Sequence, residues 1–350
     1  MKIRSRLVLC IALAVVGSTQ AAAEPLAIST LPTPEQQTDK RLIERFFDDT
    51  LHSSNMRLRL MRGSSGDPSA DDLSGKTFTP IDELADLTKG STDPMVLALL
   101  IEPCNNDRLR PKPTCDALDL ATRLTVADTQ NQVAWLSLSS TLRWRGDLSG
   151  SRAAFERAAN ASMWHEYFDD GSRVIAAAVP VGLSPRVRAT TLQIALTTPM
   201  AQLLPHSALA TLSFHCKDPT LFDACVRIIN TIARDSGSLL SSQIAIAVGK
   251  RTGIDASVIE MRTRSLDALR GASMRQFTRD WSEITDATEL EDLIKRIERR
   301  IKLGEMASLR ATLAESGLSE AAAANEYRQY IAALIARSKA ESVSRGERPE

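Results

Sequence analysis

Aromatic residues make up only 4% of this 350-residue chain, and runs of Val, Ile, Thr, Tyr and Phe at a period of two are hard to find. Sandwiches and barrels are assembled from such runs, so their scarcity excludes the all-β classes. With Ala, Leu and Arg abundant, an all-α chain is expected. Signature motifs are missing too: there is no Gly-x-Ser-x-Gly elbow, no His-Glu-x-x-His pair, no phosphate loop and no dinucleotide fingerprint. Gly249-Lys250-Arg251-Thr252 comes nearest to a phosphate loop. It lacks the upstream glycine and the strand, and reads as a helix end. Nor is there an excess of one charge, since 43 basic residues face 43 acidic ones. Nucleic-acid binders carry a basic surplus on at least one face, so no nucleic-acid partner is expected. No cofactor or metal is expected either.

Long apolar runs are also lacking. The best, Leu7 to Val16, covers about ten residues against the roughly 20 that a membrane-spanning helix needs. Lys2, Arg4 and Arg6 precede it, and Ala21-Ala22-Ala23 follow it, which is the layout of a secretory signal peptide over residues 1–23. Cleavage is expected between Ala23 and Glu24, giving a periplasmic or secreted protein with no stable membrane insertion. Cys10 lies inside the apolar run after the bulky Leu9, whereas a lipidation signal puts a small residue before a cysteine at the end of that run.

Residues 24–62 are expected to carry one helix, Glu35 to Arg62, with Leu42, Ile43, Phe46, Phe47 and Leu51 on one face. Residues 63–80 are dense in Ser, Gly, Asp and Pro and read as a linker. From 81 to 252 the chain is a train of short helices: 81–89, 93–103, 115–127, 131–145, 149–161, 164–178, 185–197, 201–215 and 219–235. Asp93-Pro94, Ser184-Pro185 and Asp218-Pro219 each place a capping side chain before a first-turn proline. Short connections favour antiparallel helix hairpins. Residues 253–338 form a region of longer helices. Within it Leu290, Leu293, Ile294, Ile297 and Ile301 make one stripe, and the basic residues around them read as a solvated face. The last helix is expected over 319–337, and residues 339–350 as a disordered tail.

Residues 131–163, NQVAWLSLSSTLRWRGDLSGSRAAFERAANASM, resemble a single tetratricopeptide unit. Trp135, Leu138, Ser139 and Leu142 share one face of a first helix, Gly146-Asp147 makes the turn, and Phe155 and Ala158 lie on a second helix. Small Ser139 and Ala158 allow close approach, while Trp135 and Phe155 fill the space beside them. Ser151 and Met163 stand where the pattern has alanine and proline, and the period is not kept downstream. The resemblance implies an irregular tetratricopeptide-like array of stacked hairpins with a concave surface for a protein or peptide. It also leaves Val133, Leu136, Ser140, Arg143 and Trp144 on the faces away from the packing, as candidate partner contacts. For Trp144 a competing expectation is burial against the next helix, near Trp164.

Four cysteines follow the signal segment. Cys104 and Cys115 flank a Pro-rich loop, and Cys216 and Cys225 flank another, so the local pairing is the simplest of three connectivities. Each bridge is worth roughly 2.5–3 kcal/mol in the chain-entropy model. Zinc sites space paired cysteines two to four apart, which argues against a metal held by His215, Cys216, Asp218 and Cys225. His165 and Asp169 could share a helix face as a carboxylate-held imidazole, but no nucleophile accompanies them.

The function expected from these readings is noncatalytic binding of a protein or peptide in the cell envelope, as a scaffold, chaperone or assembly factor. The alternative is a helical hydrolase of envelope material with Glu166, Asp169 and Asp170 in a cleft, since carboxylates gathered from distant helices leave no local motif.

Overall fold

The computed structural model describes residues 34–63, 85–86, 88–105, 115–203, 205–277 and 286–344. The expected signal peptide lies outside these residues, as does the expected linker apart from Gly63. Among the described residues every regular element is helical, with one isolated parallel bridge between Asn131 and Met163. In chain order these are α1 (Pro34–Leu51), α2 (Met56–Gly63), α3 (Pro94–Asn105), α4 (Ala117–Ala127), α5 (Gln132–Trp144), α6 (Leu148–Ala158), α7 (Phe168–Ala178), α8 (Pro185–Leu203), α9 (His206–His215), α10 (Phe222–Asp235), α11 (Leu239–Thr252), α12 (Ala256–Phe277), α13 (Ala287–Leu303), α14 (Glu305–Glu315) and α15 (Glu320–Ser344).

Side-chain caps set many of the starts, because the first backbone N–H groups of a helix lack partners inside it. Asp116 accepts from Leu118 N, Asn131 from Val133 N, Asp147 from Gly150 N, and Asp286 from Thr288 N and Glu289 N. Gly253, at φ 83°, closes α11 in the left-handed region that suits glycine. Several boundaries differ from the sequence reading. The single helix expected over 35–62 is two, because Asn55 caps a fresh start by accepting from Arg57 N. Helix α8 runs through Pro199 to Leu203, where an end was expected near 197. Gly171 of α7 explains how: a Cβ there would stand 2.9 Å from Pro199 Cβ, so the two helices meet closely at the proline. Packing at that crossing offsets the one backbone bond that proline removes. The segment expected as tail is helical as far as Ser344, since Lys339–Ser344 contains no helix breaker.

Sequence neighbours α3 and α4, α4 and α5, α5 and α6, α7 and α8, and α10 and α11 pack on one another, while α9 returns onto α5, α13 onto α8 and α15 onto α12. One core joins α2, α3 and α4 with Tyr167 and Phe168; a second joins α5, α6, α9, α10 and α11. The pairs Cys104–Cys115 and Cys216–Cys225 are bonded as expected, with Cα atoms 5.5 and 5.7 Å apart.

Candidate functional site

Helix α5 carries the residues that the repeat resemblance offered to a partner, and most of them are enclosed. Val133, Leu136 and Ser140 are buried. The first two sit in the core with Ala208, Leu209 and Leu212 of α9. The face left open in the repeat reading is therefore covered by the chain's own α9, and α3, α4 and α6 take the remaining sides. Trp135, assigned to packing, is half-buried: its indole N–H donates to Thr129 O at 2.8 Å and Arg157 stacks over its ring. Phe155 fills the interior as expected.

Arg143 and Trp144 remain at the surface end of α5. The Arg143 guanidinium lies 4.6 Å from the Phe214 ring centroid, so it is tied to α9 by a cation–π contact. Trp144 is 70% exposed, which overturns the expectation of burial near Trp164. Trp164 is buried beyond the other end of α5, where Gln132 N donates to Met163 O. Leu148, just past the turn, is 59% exposed, and Phe214 and Phe222 are also partly open.

Behind this surface Ser139, Ser151 and His215 form a knot. Ser139 Oγ lies 3.0 Å from Ser151 Oγ, and His215 Nε2 is 3.2 and 3.0 Å from the two hydroxyls. Burial pushes the imidazole down to about 4, assisted by Arg143 and Arg152. Both serines are fully buried, so the trio locks α5, α6 and α9 together and gives a substrate no access to the hydroxyls.

Two of the three carboxylates expected in a cleft, Glu166 and Asp169, line one together. A cavity of about 250 Å³ lies between the segment leading into α7, the α10–α11 connection and the α13–α14 junction, lined among others by Trp164, Glu166, Asp169, Gly237, Gly304 and Arg310. Glu166 Oε1 accepts from Trp164 Nε1 at 2.6 Å. Burial raises its carboxyl to about 7, against the hydroxyls of Ser241 and Ser238 and the indole. Burial likewise raises Asp169 to about 6, with Arg173 acting in the opposite sense.

Asp170 points elsewhere. It holds His165 Nε2 at 2.8 Å and Arg173 at 2.6 Å, and the imidazole bond lowers its carboxyl while raising His165. The expected His165–Asp169 pair is thus a His165–Asp170 pair. The i, i+4 spacing fails because residues 164–167 are not helical: Asn131 binds the His165 backbone, and Tyr167 sits at φ 60°. Tyr167 is held there by its hydroxyl, which donates to Asp128 at 2.5 Å. Among the described residues no group of three His, Cys, Asp or Glu side chains is placed to hold a metal ion, and no helix is long and apolar enough to cross a membrane. The sequence reading missed Glu305, Ser238 and Ser241 around Glu166. They lie far along the chain and belong to no motif.

The chain matches no protein-family model, no curated protein and no solved structure.

Proposed function

We propose that this chain is an exported, noncatalytic binding protein of the cell envelope, built as an irregular tetratricopeptide-like array of helix hairpins, whose protein or peptide partner docks at the α5–α6 turn. The observation that carries this reading is the exposure of Trp144. An indole mostly in water, beside open Leu148 and an Arg143 held on Phe214, has the composition of an interface anchor, because Trp and Arg supply much of the binding energy at many interfaces. The groove expected along α5 is not part of the proposal, since α9 fills it. Two local disulfides are compatible with an oxidising compartment.

The test is a photo-crosslinking aromatic amino acid placed at position 144 of the full chain and irradiated in the native envelope fraction. One discrete protein adduct, lost on Leu148→Asp and missing when the crosslinker stands at the still more open Val181, is the expected result. No adduct, or the same adducts from both positions, removes the reading. Recovery of mature protein beginning at Glu24 tests export.

The hydrolase alternative keeps one observation in its favour, the meeting of Glu166 and Asp169 in a cleft. Glu166 is bonded to Trp164, and the Glu305 backbone N–H acts to lower the Asp169 carboxyl.

A further inference from the structure

We propose that the cleft between the segment leading into α7, the α10–α11 connection and the α13–α14 junction binds a small organic molecule through a primary ammonium group, received by Glu166 and Asp169. This site is separate from the Trp144 surface and does not depend on it.

The first support is an unpartnered acceptor. Glu166 is 3% exposed and lines the cleft; its Oε1 is taken by Trp164, while Oε2 has no partner of good hydrogen-bond geometry and only the Ser238 and Ser241 hydroxyls acting on the carboxyl. Buried carboxylate oxygens are rarely left so, because the lost hydration is not replaced. The second support is convergence. Glu166 Oε2 lies 3.6 Å, and Asp169 Oδ2 3.4 Å, from the point where a Cβ would stand on Gly237. Asp169 Oδ2 is also 2.3 Å from the corresponding point on Gly304. Two acid oxygens therefore reach the same small space, and on the α13–α14 side Asp169 does so only because residue 304 has no Cβ.

The surrounding cations are bonded to other acids, although Arg173, which also lines the cleft, attracts Asp169 from beyond ion-pair distance. Arg173 is bonded to Asp170, Arg234 to Asp235, and Arg300 to Glu305, whose other oxygen accepts Leu239 N. Among the described residues neither Glu166 nor Asp169 has an ion-pair partner within 4 Å, and no three-ligand metal set exists. A ligand that brings its own N–H donors and positive charge meets this need, and a primary ammonium supplies three donors on one small head. The cavity of about 250 Å³ is smaller than typical drug-sized pockets, which limits the ligand to a compact molecule. Arg310, exposed, also lines the cleft.

Burial keeps Glu166 partly protonated near neutrality and Asp169 in mild acid, so an arriving ammonium displaces protons, and more of them as pH falls. That linkage gives the test a second readout. The full chain is titrated calorimetrically with butylammonium chloride at pH 7.5 in two buffers of different ionisation heat, and again at pH 5. Tetramethylammonium, which lacks N–H donors, and 1-butanol, which lacks charge, serve as comparisons. Saturable butylammonium binding with proton release, at least tenfold weaker at pH 5 and in Glu166→Gln or Asp169→Asn, with both comparisons silent, supports the site. No saturation with butylammonium, equal binding of tetramethylammonium, or affinity unchanged at pH 5 overturns it; the last uses the unaltered protein and stands even if a variant fails to fold.

Discussion

Asn131 and His165 exchange two hydrogen bonds: Asn131 Nδ2 donates to His165 O at 2.9 Å, and His165 N donates to Asn131 Oδ1 at 3.0 Å. The same amide also donates to the Tyr167 hydroxyl and to Asp128, while its oxygen caps α5 at Val133 N. One fully buried side chain thus starts a helix and fixes the loop that aims Glu166.

Asn131→Ala is expected to leave several buried groups unpaired, costing on the order of 2–4 kcal/mol, since each such group costs about 1–3 kcal/mol. Chemical denaturation measures the loss, and amide exchange should quicken first at residues 164–167. Slow exchange there in the variant would show that the loop is held by something else.

Trp144→Ala should leave stability within about 0.5 kcal/mol, as for other exposed substitutions, because the side chain is mostly in water. Phe155→Ala, removing a ring with no exposure, should cost about 3–5 kcal/mol. Thermal unfolding of the pair decides. A large loss from Trp144→Ala would mean that the residue supports the fold.

His215 should make the protein less stable in mild acid. Its folded-state value of about 4 lies below the ordinary 6.5, so between those values the unfolded chain takes up a proton that the folded chain refuses. Stability is full above about pH 6.5 and falls as pH drops toward 4, by no more than about 3–3.5 kcal/mol. Melting curves of the native protein and His215→Gln across that range should differ in slope.

Glu166 has the opposite sign. Its carboxyl stays protonated up to about pH 7 when folded but only to about 4.5 when unfolded, so stability declines as pH rises through that window. Glu166→Gln removes this dependence and should be more stable than the native protein at pH 8. An unchanged or lower melting point there would show that the native carboxylate is already compensated.

Reduction should lower the melting temperature, each local bridge contributing roughly 2.5–3 kcal/mol. Non-reducing peptide mapping should recover Cys104 with Cys115 and Cys216 with Cys225. Crossed pairs would contradict the geometry.

The cysteine pairs were legible because both partners flank one short loop, and the helix starts because a capping side chain and a following N–H are neighbours. The long-range features were not. Nothing in residues 132–144 announces that α9 will cover Val133 and Leu136, so a face that the repeat resemblance leaves open is in fact interior. The His165 partner was misplaced by one residue because helical spacing was extended into Trp164–Tyr167, where the side chain of Asn131 overrides local propensity. Exposure of Trp144 and burial of Trp164 likewise follow from which helices arrive later in the chain.

That late arrival shapes how the molecule comes together. During synthesis α5 and α6 emerge well before α9, and until His206–His215 follows, the apolar side formed by Val133 and Leu136 faces solvent. Such a delay raises the sequence separation of the contacts that complete the core, which slows folding and leaves sticky surface uncovered in the interval. A nascent chain stalled between Ala158 and His206 is thus the species most prone to aggregate or to be seized by a holdase.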